Sequence, residues 1–260
     1  MSVNEVVDEA GARSASMSAF QSRILDAEVY ELPGGGRALF TGRSHGNMSS
    51  VGGADAEHGL QARERLRQSL GVQRLVRGYQ VHGTVVGRVF ADGERPGGNN
   101  AFTCEDSARQ PTFEADGHAV AAVGLAAMVF TADCIPVVLG ADGAVAALHA
   151  GWRGLAAGVL EEGVRALREV GGRGEVVALV GPCAGVCCYE VGEEVHAAFG
   201  GSQRGGGLID LRAIAHERLM AAGVAQVHDA EACTICDERL FSYRREGAGA
   251  GRQAGLAWLS

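Results

Sequence analysis

Apolar residues in the middle of the chain come in short unbroken runs: Ala126 to Phe130, Ile135 to Leu139 and Val145 to His149. Runs of this length, bounded by glycine or polar residues, read as strands buried on both faces. Val176 to Val180 is a fourth. Between them, Gly154 to Val170 repeats its apolar positions at helical spacing and stops at Gly171-Gly172, which predicts an amphipathic helix. Toward the N-terminus, Val29 to Leu32 and Ala38 to Thr41 flank Pro33-Gly34-Gly35-Gly36, a hairpin signal. Glu57 to Leu70 predicts a helix with Arg63, Arg65 and Arg67 on polar positions and Gly71 as its stop. Val72 to Val76 and Thr84 to Phe90 predict strands. Ala91 to Glu114 is rich in Gly and Asn and predicts a long loop. Farther on, Gly192 to Phe199 and Leu211 to Ala222 predict helices, the second closed by Gly223. Val224 to His228 and Gly255 to Leu259 predict the last strands.

Strand and helix alternate, so the expected class is α/β (α+β), with mixed sheets and helices outside. No dinucleotide glycine turn or phosphate loop is present, and no internal repeat. Residues 1 to 22 are polar and small, and read as a flexible tail. They lack a basic stretch followed by an apolar run, so a secretory signal is not expected. No window of about 18 apolar residues suggests a membrane span. The expectation is a cytoplasmic chain with one large domain over residues 23–260.

Composition sharpens this. At 260 residues and 47% hydrophobic, the chain can bury a substantial core. A net charge of -8 argues against a nucleic-acid or membrane-surface binder, both of which need a basic face. A nucleoside or phosphorylated small molecule needs only one or two local cations and stays open. The 40 glycines are spread so widely that genomic base bias contributes, so each alone carries little weight. Seven cysteines in a cytosolic setting are expected to be reduced.

The candidate chemistry lies in three segments: Gln80-Val81-His82-Gly83, Thr131-Ala132-Asp133-Cys134 and His149-Ala150-Gly151-Trp152-Arg153-Gly154. Two imidazoles and a thiolate are a known catalytic zinc set, with an open fourth position. Taken singly, each of the three residues is more often a packed core side chain. Cys134 and His149 end or follow predicted strands, which would hold a ligand rigidly. Asp133 could orient an imidazole, serve as a proton donor, or simply cap a turn. Trp152 is expected to be structural. Cys183, Cys187, Cys188, Cys233 and Cys236 are read mainly as packing. Adjacent Cys187 and Cys188 are expected on opposite sides of the backbone, and one C-x-x-C alone is weak evidence for a metal. Ser242-Tyr243-Arg244-Arg245 places two guanidiniums together, a candidate anion site or a solvated surface pair. Arg43 is a weaker candidate of the same kind.

The ordered set QVHG, TADCIP, HAGWRG, GPCAGVCCYEVGEEV and CT…FSYRRE resembles the bacterial multicopper polyphenol oxidase or laccase-domain family. Its members are better described as zinc-dependent purine nucleoside phosphorylases that also deaminate adenosine. The resemblance spans residues 28 to 259. It implies zinc held by His82, Cys134 and His149, purine nucleosides and phosphate as substrates, and two sheets between helical layers. Relative to the family pattern, the stretch Gly42 to Ser49 departs from Arg-x-Gly-Gly-x-Ser, and Cys183 and Val186 are changes within the GPAIGPCCYEVG motif. With 8 histidines and no His-x-His pair, the chain lacks the ligands of a multicopper oxidase. Two rival readings are a Cys/His hydrolase or amidase acting on peptidoglycan precursors, with Cys134 as nucleophile and His149 or His82 as base, and a non-catalytic partner-binding protein.

Overall fold

A computed structural model of the chain describes residues 22–49, 56–90, 113–201 and 205–260. The first sheet runs β1-β2-β3-β14-β7-β4 in space. Its strands are β1 (Ser22–Ile24), β2 (Ala27–Leu32), β3 (Gly36–Phe40), β4 (Arg74–Val76), β7 (Leu125–Thr131) and β14 (Gln253–Leu259). The second sheet runs β13-β10-β8-β9-β6-β5. It consists of β5 (Val86–Val89), β6 (Gly117–Val120), β8 (Ile135–Asp142), β9 (Ala144–Ala150), β10 (Arg173–Val180) and β13 (Gln226–Asp229). A small ribbon pairs β11 (Glu190–Val191) with β12 (Gly207–Leu208). The helices are α1 (Ala56–Leu70), α2 (Trp152–Ala157), α3 (Val159–Glu169), α4 (Glu193–Ala198), α5 (Leu211–Ala221) and α6 (Tyr243–Glu246).

The two sheets face each other. Leu32, Ala38, Val76, Ala127 and Val129 of the first meet Val120, Val138, Val145, Ala147 and Leu179 of the second in one buried cluster. The outer face of the first sheet is covered by α1, through Ala62 and Leu66 against Met128, Leu256 and Trp258. The outer face of the second is covered by α2, α3 and α5, through Leu155, Leu160, Leu167 and Leu219. This is a single-domain helix–sheet–sheet–helix stack, as expected. It explains the unbroken apolar runs: Ala127 and Val129 point to the sheet interface while Ala126 and Met128 point to α1.

Several elements differ from expectation. The helix predicted over Gly154 to Val170 is two helices, because Gly158 takes a left-handed conformation (φ 99°) between them. The strand β6 was not expected; Gly-His-Ala-Val is too short to show periodicity, and β6 is built by pairing with β5 and β9. The tail over residues 1–22 lies outside the described residues except for Ser22, which opens β1. The loop predicted over Ala91 to Glu114 lies outside them except for Phe113 and Glu114, which pair with Tyr79.

Candidate active site

The link from β7 to β8 crosses from one sheet to the other, and Ala132, Asp133 and Cys134 occupy that crossing. His149 stands near the end of β9, beside the same edge of the stack. His82 lies on the connection from β4 to β5. Gln80 clips that connection down: its side-chain amide donates to the Phe130 carbonyl (2.8 Å) and its oxygen accepts from the Phe130 N–H (2.7 Å). His82 has φ 61° and Asp133 φ 91°. Left-handed backbone costs about 1 kcal/mol or more for a residue with a Cβ, and such strain concentrates at functional sites.

The structure brings the three segments together. The ligand atoms of His82, Cys134 and His149 all lie within 4.8 Å of one another. Cys134 Sγ is 3.7 Å from His82 Nε2, and the two imidazoles stand edge to face, 4.8 Å between centroids. Glycine makes this approach possible. A Cβ on Gly151 would sit 2.5 Å from His82 Cδ2 and 3.3 Å from Cys134 Sγ, and one on Gly154 would sit 2.7 Å from the Gly83 carbonyl oxygen. Hence the two glycines of HAGWRG.

The carboxylate that orients an imidazole is Asp116, a residue the sequence reading missed. It is fully buried. Its Oδ1 accepts from His149 Nδ1 (2.8 Å) and the His82 N–H (2.9 Å), and its Oδ2 from the amides of Gly83 (2.7 Å) and Val81 (3.2 Å). Burial pushes the Asp116 carboxyl up, but His149 and these amides more than offset it and hold it below the usual range. With Nδ1 committed, His149 presents Nε2 toward Cys134. Burial also opposes charge on both members of that pair. Their mutual attraction, with Asp116 behind, nevertheless lowers the Cys134 thiol and raises His149. Only a lone Asp next to Gly117 and a short apolar run marked Asp116 in the sequence.

Asp133 is not the imidazole's partner. It accepts from the Thr234 hydroxyl and the Arg244 N–H, both at 2.6 Å, and so ties the C-terminal segment to the β7–β8 crossing. A cavity of about 430 Å³ opens over the site, lined by His82, Cys134, His149, Asp133 and Arg244 among others. That volume lies within the range of about 300–1,000 Å³ typical of small-molecule sites. Its walls hold Tyr79, Phe130, Trp152, Tyr189 and Tyr243, three of the chain's 4 tyrosines among them. Trp152 thus packs on the core and also faces the cavity.

The candidate cations separate. Arg244 lines the cavity, donates to the Glu190 carbonyl (2.8 Å) and lies 5.2 Å from the Tyr189 ring centroid. Arg245 does not line it; its guanidinium donates to the carbonyls of Thr234 (2.7 Å) and Leu240 (2.5 Å). Arg43 does not line it either, being bound to Glu246 and stacked over Phe241. Arg77 and Arg252 line the cavity and were not singled out by sequence. The cysteines correct another expectation. Cys187 and Cys188 do not diverge: their sulfurs are 3.2 Å apart, because residues 185–189 form a turn rather than an extended strand.

The donor set fits a metal ion. Two imidazole nitrogens and a thiolate converge, one imidazole is backed by a carboxylate, and the side left open faces the cavity. A softer, sulfur-containing set of this kind suits zinc better than magnesium or calcium.

The chain is similar to several known proteins. The family model described as multi-copper polyphenol oxidoreductase laccase matches residues 37–260. A purine nucleoside phosphorylase of Xylella fastidiosa is 38% identical over 244 residues, covering 87% of this chain and 88% of that protein. One of Streptomyces coelicolor is 36% identical over 226 residues, covering 82% and 87%. Among solved structures, a Neisseria meningitidis protein superposes with a TM-score of 0.73 at 30% identity, covering 90% of this chain and 99% of that one. YlmD of Geobacillus stearothermophilus superposes with a TM-score of 0.74 at 27% identity, covering 86% and 92%. The chain belongs to the multi-copper polyphenol oxidoreductase laccase family, whose matched relatives carry the name purine nucleoside phosphorylase.

Proposed function

We propose that residues 23–260 form the catalytic domain of a cytoplasmic, zinc-dependent purine nucleoside phosphorylase acting on adenosine, inosine, guanosine and methylthioadenosine, with adenosine deamination as a second activity. The observation that carries this reading is the His82, Cys134 and His149 triangle, backed by Asp116 and opening into an aromatic-walled cavity. The names of the relatives support the substrate class. Zinc held there would supply a Lewis acid at the cavity floor.

The chain's own residues do the rest. Tyr189, Trp152 and Phe130 offer flat apolar faces for a purine, stacking being favourable for any base. Phosphorolysis forms a bond from a phosphate oxygen to C1′ and breaks the bond from C1′ to the purine nitrogen, so phosphate must be held against the sugar. Arg244 is the candidate for that task, with Arg252 and Arg77 on the same lining. Deamination replaces the amine at C6 by an oxygen from water and releases ammonia, and needs no phosphate. The test is product identification from adenosine with and without phosphate. Adenine and ribose 1-phosphate are expected with phosphate, inosine in both cases. Zinc-loaded protein that yields none of these refutes the reading.

A second reading has its own observation. Cys134, His149 and Asp116 form a thiol–imidazole–carboxylate series in contact. Without metal this is the arrangement of a Cys/His hydrolase, such as an amidase acting on peptidoglycan precursors. Rapid alkylation of Cys134 in protein as isolated would favour it; protection of Cys134 until a chelator is added would favour zinc.

A further inference from the structure

Four cysteines converge where Cys233, the chain neighbour of the Asp133 partner Thr234, meets the segment of Cys187 and Cys188. The sulfurs of Cys187, Cys188, Cys233 and Cys236 all lie within 4.8 Å of one another. The closest pairs are Cys188–Cys236 at 3.1 Å, Cys187–Cys188 at 3.2 Å, and Cys187–Cys236 and Cys188–Cys233 at 3.5 Å. A tetrahedron of thiolates at about 2.3 Å from zinc has sulfur–sulfur edges of roughly 3.8 Å. The four thiols therefore already stand near the corners such an ion requires, and none is joined in a disulfide.

The backbone around them is built for convergence. The segments pair through a bridge of Cys183 with Cys233, with the Thr234 N–H donating to the Cys183 carbonyl (2.9 Å). Amides point at sulfur: Gly185 N–H donates to Cys233 Sγ at 3.2 Å, and so does the backbone N–H of Cys236. Amide donors of this kind stabilise a thiolate. Gly185 also leaves the needed space, since a Cβ there would lie 3.2 Å from Cys187 Sγ and 3.3 Å from Cys233 Sγ.

We propose that Cys187, Cys188, Cys233 and Cys236 form a second, structural metal site, a tetrathiolate centre for zinc. Four protein ligands leave no open position, so the ion performs no chemistry. It staples the turn that leads into Tyr189 to the segment that carries Thr234, Tyr243 and Arg244. Tyr189, Tyr243 and Arg244 line the cavity, and Thr234 and Arg244 hold Asp133. The pair Cys233-x-x-Cys236 finds its missing partner pair in Cys187-Cys188.

The experiment is metal analysis of the full chain purified without chelator. Wild type is expected to hold two zinc ions per chain. A triple variant, His82→Ala with Cys134→Ala and His149→Ala, should keep one. Cys187→Ser with Cys236→Ser, both at exposed positions, should also keep one. Cobalt loaded into the triple variant should give intense thiolate-to-cobalt absorption, which disappears when the two serines are added; this readout holds even if a variant is less stable. A triple variant that is folded and metal-free overturns the second site. So does iron in place of zinc, or a disulfide among these four cysteines in protein as isolated, seen by mass spectrometry as the loss of two hydrogens. The two sites fail separately: loss of all zinc in the serine variant alone would leave this centre standing and remove zinc from His82, Cys134 and His149.

Discussion

At the scale of single residues, the site depends on one buried carboxylate. Asp116 holds three backbone amides of the His82 segment and the imidazole of His149 at once. Carboxylates behind a ligating histidine fix its tautomer and strengthen it as a ligand, and removing one typically costs about 10–100-fold in metal affinity. Asp116→Asn is expected to weaken zinc binding by that factor, measured by competition with a chelating dye, while His82→Ala, Cys134→Ala and His149→Ala each lose most of the zinc at this site. Unchanged affinity in Asp116→Asn would reduce its part to holding the loop. Arg244 is tested differently. A guanidinium removed from a phosphate contact loses about 1.5–3 kcal/mol, or roughly 10- to 150-fold if felt fully in binding. Arg244→Ala should raise the phosphate requirement for adenine release and spare conversion of adenosine to inosine. A phosphate titration that follows both products separates these; equal loss of both activities, or of neither, would count against a phosphate contact.

At the scale of elements, the site is assembled by connections rather than by strands. The turn after β9 carries Gly151 because the His82 ring and the Cys134 sulfur stand where a side chain would be. Gly151→Ala is expected to displace His82, at a cost of about 1–3 kcal/mol, and to lower zinc occupancy. The far-ultraviolet spectrum should be unchanged, since β9 and α2 lie on either side of the change. Full occupancy in this variant would mean that the segment around His82 yields easily. These motifs were legible because their residue types are chemically unusual where they stand: imidazoles and a thiol beside buried strands, with glycine close to both histidines. The buried strands were legible too, as unbroken apolar runs. What escaped sequence reading was set by contacts distant along the chain. Strand β6 exists through pairing with β5 and β9, and Asp116 acquires its meaning only where the His82 and His149 segments cross. Cys187 and Cys188 meet because their segment turns, and the Arg43 and Arg245 guanidiniums are engaged by carbonyls and Glu246 that no local pattern announces.

At the scale of the whole molecule, stacking two sheets back to back leaves inner strands with no water on either face, and besides β9 with His149 one more of them carries an imidazole. His118 of β6 is 1% exposed and lies against the Phe113 ring. Burial pushes its pKa down from 6.5 to about 3, so the fold holds it neutral. An unfolded chain takes up a proton there below about pH 6.5, while the folded chain resists it until about pH 3. The unfolded state then binds more protons, and stability must fall as pH drops through that window. At pH 5 the difference is about 1.5 pH units below the unfolded pKa, or about 2 kcal/mol. His118→Leu, which keeps an apolar side chain of similar size, should remove this contribution. Urea unfolding at pH 7 and pH 5 is the measurement. Wild type is expected to lose about 2 kcal/mol more than the variant between the two pH values. Parallel losses in the two proteins would show that the fold admits the proton, and that the packing between the second sheet and its neighbours opens around β6.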